Sequence, residues 1–386
     1  MSGRDFLRRL PRTGFGLGRR EALQQRLHID FLLLILLLVL TAIGMSVLYS
    51  ASGESMVTMR RQGIFFVIAY VAMFAVAQVP VHFMRRMAPW AYFGGIILLI
   101  LVLVIGVGAK GAQRWLSLGA FRFQPSEIMK LAMPLMIAAY LSKRFLPPSL
   151  KHVFFTLVLI GFPTALIIDQ PDLGTSILVA TSGMVVLFFA GLRWGYIFLA
   201  IVAFVASLWP VWHFMMHDYQ RQRVLTLLNP EADRLGAGWN IIQSKTAIGS
   251  GGLSGKGWLE GTQSRLDFLP EGHTDFIIAV MAEEFGLLGV LTLLGVYLLV
   301  IIRGMMIALN AQDSFGRLLA ASITFTFFVY VFVNMGMVSG LLPVVGVPLP
   351  LISQGGTAIV TLMAGFGILM AIATERKRVM RPQKNK

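Results

Sequence analysis

Runs of about twenty mostly apolar residues, parted by short polar joints, recur along this chain from Phe31 to Thr374. A helix needs roughly 20 such residues to cross the hydrocarbon core of a bilayer. The runs fall at about 31–50, 64–83, 90–108, 126–143, 153–169, 174–191, 194–214, 274–302, 316–338 and 355–374. They predict an all-α polytopic integral membrane protein with ten transmembrane helices. The first run, Phe31–Leu48, is too long for a signal-peptide core, and no A-x-A-like site follows it. It is expected to stay as the first span. One interval breaks the rhythm: residues 215–273, between spans seven and eight, are too polar to span and not basic enough to be a tail. Loops of that length usually either act or are disordered, and this one holds too many aromatic and aliphatic residues for disorder. It is expected to be structured and to form the functional face. The resulting plan is a basic tail at 1–30, a ten-span membrane domain at 31–374 and a second basic tail at 375–386.

Charge orients the plan. Only 13% of the residues are charged, against about 25% in soluble domains. The net charge of +15 is concentrated in two clusters, Arg4 to Arg26 and Arg376 to Lys386. Both flank apolar spans, as the positive-inside bias produces, so nucleic acid is not the expected partner. The joints bearing Arg85 and Arg86, Lys143, Arg144 and Lys151, Arg193, and Arg303 and Arg317 fall on the side of the tails. Alternate joints hold Glu54, the Lys110 to Arg122 segment, Asp169 and Asp172, the long loop, and a charge-free 339–354. The tails are therefore expected in the cytoplasm and the long loop outside. The chain has no cysteine, which excludes disulfides, thiol catalysis and thiolate metal sites.

The outer side carries local structure. Trp115–Phe123 alternates apolar and polar residues around Gly119, which predicts a small hairpin. It runs into Gln124-Pro125-Ser126-Glu127, a helix start with an early proline and an acid in the first turn. Asp169-Gln170-Pro171-Asp172 opens the sixth span in the same way. Between spans nine and ten, Leu341–Pro350 is apolar but broken by prolines and Gly346. Such backbone cannot lie bare in lipid and must pack into protein or line a cavity. In the long loop, Trp239–Ile248 predicts an amphipathic helix stopped at Gly249, lying flat at the interface or packed on the spans. The glycine run 249–257 fails as a phosphate-binding loop, because Ser250 and Gly257 replace its required Gly and its Ser or Thr. It reads as a flexible loop with one cation, Lys256. No metal-ligand spacing, nucleophile elbow or paired-histidine motif occurs. The cofactor requirement stays open, and His273 reads as a hydrogen-bonding residue.

Two sets of residues point to chemistry. Glu127 and Lys130 lie at i and i+3 on an otherwise apolar helix, the acid nearer the N-terminus, which is the favourable orientation. A lysine in a span costs about 2.5–3.5 kcal/mol on insertion scales and is by default functional and paired. The bland alternative is a buried structural ion pair. Asp275 sits at the outer mouth of the eighth span, near Arg221, Arg223, Lys245, Lys256 and Arg265 of the loop. A single acid amid cations suits a general base beside an anionic leaving group; alone, it suits a helix cap. In an extended segment Arg221 and Arg223 would face the same way, a spacing that suits a diphosphate or, equally, anionic lipid headgroups. Glu283 and Glu284 lie about 12 Å further along that helix and read as span-to-span hydrogen-bonding residues.

Taken together, Gly111-Ala-Gln-Arg-Trp-Leu, Phe123-Gln-Pro-Ser-Glu127-Ile-Met-Lys130, Gln170-Pro-Asp-Leu-Gly-Thr-Ser176, Phe268-Leu-Pro-Glu-Gly-His-Thr-Asp275-Phe and Gly346-Val-Pro-Leu-Pro-Leu-Ile-Ser353 closely resemble the SEDS family (shape, elongation, division and sporulation). The likeness runs from the first span to the tenth and is greatest to the rod-shape elongation branch. It implies ten spans and a peptidoglycan glycosyltransferase that polymerises lipid II on the outer face of the bacterial cytoplasmic membrane. It also implies a complex with a class B penicillin-binding protein, the cross-linking transpeptidase, and with other membrane proteins of cell elongation. Family functional positions match at Asp275, Glu127, Lys130, Arg122 and Asp172; the loop adds Arg221, Arg223, Lys245 and Lys256 as candidate substrate contacts. One departure is Gln354, where the family usually has Tyr before Gly355-Gly356. A donor outside the membrane must be lipid-linked, because no sugar nucleotide exists there. Turning an α-linked donor into a β-linked product in one displacement needs a base opposite the leaving group, as in inverting glycosidases. Two rival readings remain at this point: a flippase for lipid-linked precursor, which intramembrane Glu127 and Lys130 also suit although no inverted repeat is evident, and a non-catalytic scaffold.

Overall fold

Each apolar run becomes a helix in the computed structural model, which describes residues 27–109, 112–118, 121–216, 218–233, 237–262 and 271–375. In chain order the run-derived helices are α1 (Phe31–Ala51), α2 (Met56–Ala77), α3 (Val81–Ile105), α4 (Pro125–Leu141), α5 (Leu150–Ile168), α6 (Leu173–Phe189), α7 (Trp194–Pro210), α10 (Ile277–Asn310), α11 (Ser314–Val338) and α12 (Thr357–Thr374). Between α7 and α10 lie α8 (Asp218–Leu228) and α9 (Ala237–Gly251). Among the described residues, eight helices are long and apolar enough to cross a membrane. The remaining two, α4 and α6, have 17 residues each and polar segments at their N-terminal ends. The basic clusters at 1–26 and 376–386, together with Arg265 and Phe268–Pro270 of the long loop, lie outside the described residues.

Several boundaries move. α2 starts at Met56 rather than near 64, because Ser55 caps it by accepting from the Thr58 amide at 3.3 Å. The polar Thr58, Arg60, Arg61 and Gln62 in its first turns masked the helix in the apolar pattern, and the two arginines run against the charge bias on that side. α10 continues to Asn310 past Arg303, whose guanidinium Nε donates to Asp30 at 3.1 Å. Asp30 also caps α1 by accepting from the Leu33 amide at 3.0 Å. Since lipid tails are as apolar as leucine, such polar pins and close steric contact drive helix association here. α2 packs along α12, α3 along α4, α10 along α11 and α1, and α6 along α11, α4 and α5. α7 has no buried residue.

The end of the bundle that carries the long loop is more ordered than the sequence suggests. Strands β1 (Val107–Ala109), β2 (Ala112–Leu118) and β3 (Phe121–Phe123) form a small antiparallel sheet in that order. The expected hairpin is its β2–β3 half, with Ser117 opposite Arg122. The predicted amphipathic helix is α9, packed against α10 rather than lying free. The glycine run is not a loose loop. α10 breaks at Gly286, where φ is 63° and ψ −164°, a conformation open to glycine alone among common residues. The freed backbone groups are taken up by the run: Lys256 N and Gly257 N donate to Glu283 O and Glu284 O, each at 3.0 Å. In return Leu287 N and Leu288 N donate to Gly252 O and Leu253 O at 3.0 and 3.1 Å. This strap is what lets a helix break inside a membrane protein, where unsatisfied backbone is prohibitive.

Candidate active site

The segment between α11 and α12 turns back into the bundle, and its carbonyls are met by side chains from distant spans. Tyr297 of α10 donates its hydroxyl to Pro350 O at 2.6 Å. Gln62 of α2 donates to Ser353 O at 3.4 Å and accepts from Gly355 N at 3.3 Å. Asn334 of α11, fully buried, donates to Val347 O at 2.7 Å and to Asp275 O at 2.8 Å. The apolar, proline-broken run thus packs into protein, as its composition required.

Asp275 stands in the turn that precedes α10, half-buried against this segment. The N-cap of α10 is Phe276, whose side chain makes no capping hydrogen bond. The Asp275 carboxylate faces the backbone of Gly346, where a Cβ would lie 3.6 Å from Oδ2. Gly346 has φ +75°, in the left-handed region that favours glycine. Gln354, at the departure from the family pattern, donates its amide to His273 O at 3.0 Å, so its backbone secures the same turn.

On the far side of the segment lies the Asp172 network. Asp172 caps α6 by accepting from the Thr175 amide at 3.2 Å, accepts from Gln124 Nε2 at 2.7 Å and pairs with Arg114 at 4.0 Å. Arg114 also donates to Gln170 O at 3.4 Å and to Pro171 O. The hairpin, the start of α4 and the start of α6 thereby meet on one carboxylate. Next to it, a Cβ on Gly174 would sit 2.5 Å from Val345 O, so α6 abuts the residue before Gly346.

Glu127 and Lys130 form a buried pair at 2.6 Å. The ammonium also lies 5.1 Å from the centre of the Tyr330 ring, a cation–π contact. Tyr330 lines both the small cavity beside Glu127 and Lys130 and the one beneath Pro348, Ser353 and Gly355. Asp275, Asp172 and the Glu127–Lys130 pair are therefore arranged around one re-entrant segment, residues 345–355.

The loop cations are not brought there together. Lys256 donates to Glu283 at 2.6 Å and to Thr262 at 2.8 Å, so Glu283 serves the strap. Glu284 does bond between spans, accepting from Ser50 of α1. Arg221 and Arg223 lie on helix α8, where residues two apart point about 200° from one another; the same-side geometry of an extended segment does not hold. Arg221 donates to Trp212 O at 2.9 Å and His213 O at 3.0 Å. Lys245 is exposed and packs over Gly340, where a Cβ would lie 2.7 Å from Nζ. Arg122 sits in β3, and its side chain lies outside the described residues. Arg114, Gln124, Tyr330 and Asn334 were not read as site residues. Asn334 had a signal, an amide deep in an apolar run; Tyr330 had none among so many aromatics. Among the described residues, no three His, Asp or Glu stand together as a metal cage.

A groove of about 1030 Å³ opens between α10 and α11, reaching Phe189 of α6 and Ile248 of α9. Its walls include Ile278, Leu298, Phe328 and Leu342. Ile278 is three residues past Asp275, and Ile248 three past Lys245.

A family profile for cell cycle proteins of the FtsW, RodA and SpoVE type matches residues 27–378. The peptidoglycan glycosyltransferase MrdB of Escherichia coli K12 is 55% identical over 358 residues, spanning 93% of this chain and 97% of that protein. A probable peptidoglycan glycosyltransferase FtsW of Geobacter metallireducens is 37% identical over 366 residues, spanning 90% and 95%. Among solved structures, a chain of a peptidoglycan synthase complex that coordinates polymerization and crosslinking superposes with a TM-score of 0.80 at 31% identity, covering 90% of this chain and 98% of that one. The rod shape determining protein RodA of Thermus thermophilus gives 0.69 at 28% identity with the same coverage.

Proposed function

The chain belongs to the FtsW, RodA and SpoVE family of cell cycle proteins and is a peptidoglycan glycosyltransferase; from that premise we propose that Asp275 is its general base, acting on lipid II at the outer face of the membrane. The observation that carries this reading is the position of Asp275. It faces the re-entrant segment and stands three residues from a wall of the 1030 Å³ apolar groove.

In this reading the groove holds a polyprenyl tail, and Lys245 at its outer end meets the diphosphate. The acceptor sugar's 4-hydroxyl oxygen attacks the donor's anomeric carbon on the face opposite the diphosphate. Asp275 takes the hydroxyl proton, the bond from the anomeric carbon to the diphosphate oxygen breaks, and polyprenyl diphosphate leaves. The α-linked donor becomes a β-linked product in one displacement. Glu127, Lys130 and Tyr330 present a fixed charge pair behind the re-entrant segment, preorganised as electrostatic catalysis requires. Arg122 and Asp172 with Arg114 bind substrate at the hairpin side. Both basic tails are cytoplasmic, all ten runs span, and the loop at 215–273 faces outward. The likeness to a synthase complex that couples polymerization to crosslinking supports a class B penicillin-binding protein as the partner, within the elongation machinery of the inner membrane.

The test is Asp275→Asn in purified protein supplied with lipid II. The amide keeps size and most hydrogen bonding but accepts no proton at neutral pH. Glycan synthesis should fall by about 10²–10⁴-fold while membrane abundance and partner binding hold. Synthesis near the parent rate would remove the base assignment.

A further inference from the structure

Asp275 lies outside any helix, so something other than a helical ladder must fix where its carboxylate points. Its turn is closed internally by Thr274 N and Phe276 N donating to Glu271 O at 3.1 and 3.2 Å. It is tied to the rest of the molecule by Gln354 N donating to His273 O at 3.0 Å and by Asn334 Nδ2 donating to the carbonyl of Asp275 itself at 2.8 Å. The same Nδ2 donates to Val347 O at 2.7 Å, and Val347 follows Gly346, which the carboxylate faces. One amide group therefore sets both the backbone of the aspartate and the backbone behind it.

The orientation of that amide is dictated by its surroundings, since turning it over would place Oδ1 against two carbonyl oxygens. As it stands, Oδ1 is buried without a hydrogen-bond partner. A buried polar atom left unmatched is unfavourable. What the asparagine contributes is the double donation.

We propose that Asn334 is a positioning residue for the glycosyl transfer: its side-chain amide clasps Asp275 to the re-entrant segment at Val347 and so holds the carboxylate in line with the acceptor hydroxyl. The proposal rests on Asp275 being the base. Asn334 touches neither substrate nor the reacting atoms, and acts through the backbone of Asp275.

The experiment uses full-length protein with lipid II, measuring kcat per folded molecule, KM, and folded amount by thermal unfolding. Asn334→Leu keeps the branch at Cγ, adds volume and removes both donors. Misplacement of a reacting group by about 1 Å costs about 10²-fold, so kcat should drop by about that factor with KM changed less than about threefold. Asn334→Ser, smaller and able to reach at most one carbonyl, should give an intermediate kcat at unchanged KM. A purely structural asparagine would lower folded amount and leave kcat per folded molecule at the parent value. That result, a rise in KM alone, or failure of both variants to accumulate would overturn the proposal. Asp275→Asn is measured alongside. Parent-like turnover in that variant condemns the base assignment, whereas an inactive Asp275→Asn beside parent-like Asn334 variants condemns the clasp alone.

Discussion

Lys130 is met twice inside the bundle, by Glu127 at 2.6 Å and by the Tyr330 ring at 5.1 Å. Removing one partner of a buried pair is destabilising by about 3–5 kcal/mol, whereas removing both can be neutral. Lys130→Met should therefore lower the amount of protein in the membrane. Glu127→Gln combined with Lys130→Met should restore that amount. If the pair serves the reaction, the double variant still makes no glycan; if it is only structural, the double variant polymerises normally. Membrane abundance and lipid II polymerisation, measured on the same preparations, separate the two. Aspartate-centred contacts follow the same logic at Asp172, where capping, Gln124 and Arg114 converge.

At the scale of elements, the strap over the α10 break is the least expected feature. A Cβ on Gly286 would lie 2.4 Å from Gly255 N and 2.6 Å from Leu253 O, at φ +63°. Gly286→Ala therefore strains its own backbone and pushes the strap away. It should destabilise by at least about 1–3 kcal/mol and raise hydrogen exchange at the amides of Lys256, Gly257, Leu287 and Leu288. Exchange as slow as in the parent would mean that the strap is held by other contacts. Lys256→Met leaves the backbone ladder in place, so its exchange should rise less.

Over the whole molecule, the groove between α10 and α11 lies near the re-entrant segment, its wall reaching Leu341 and Leu342 just before it. If the groove holds the lipid tail, filling it weakens binding of substrate and transition state alike, which raises KM and leaves kcat unchanged. Leu298 and Ile301 both line it, one turn apart on the same helix face. Leu298→Trp with Ile301→Trp should raise the KM for full-length lipid II by about tenfold, equivalent to about 1.4 kcal/mol. A short-chain analogue should be little affected. Equal KM changes for long and short chains would place the tail elsewhere.

The sequence by itself determined the class of the molecule. In lipid, a chain with long apolar runs can satisfy its backbone only as helices, and local caps mark where several begin, as at Pro125 and Asp172. Glu127 and Lys130 were legible because their partnership is four residues long and needs only a helix. The motifs carried the family as well. Tertiary structure alone decided which distant groups meet. Lys256 reached Glu283 rather than a substrate position because the break at Gly286 brings the glycine run alongside that carboxylate. Arg221 and Arg223 diverge because α8 is a helix, a choice that its sparse apolar pattern did not reveal. Asn334 holds Asp275, 59 residues away in sequence, through a contact that exists only once α11 and the re-entrant segment are packed. Periodicity reports on neighbours along one element; hydrogen bonds between elements depend on registers and crossings that no local pattern encodes.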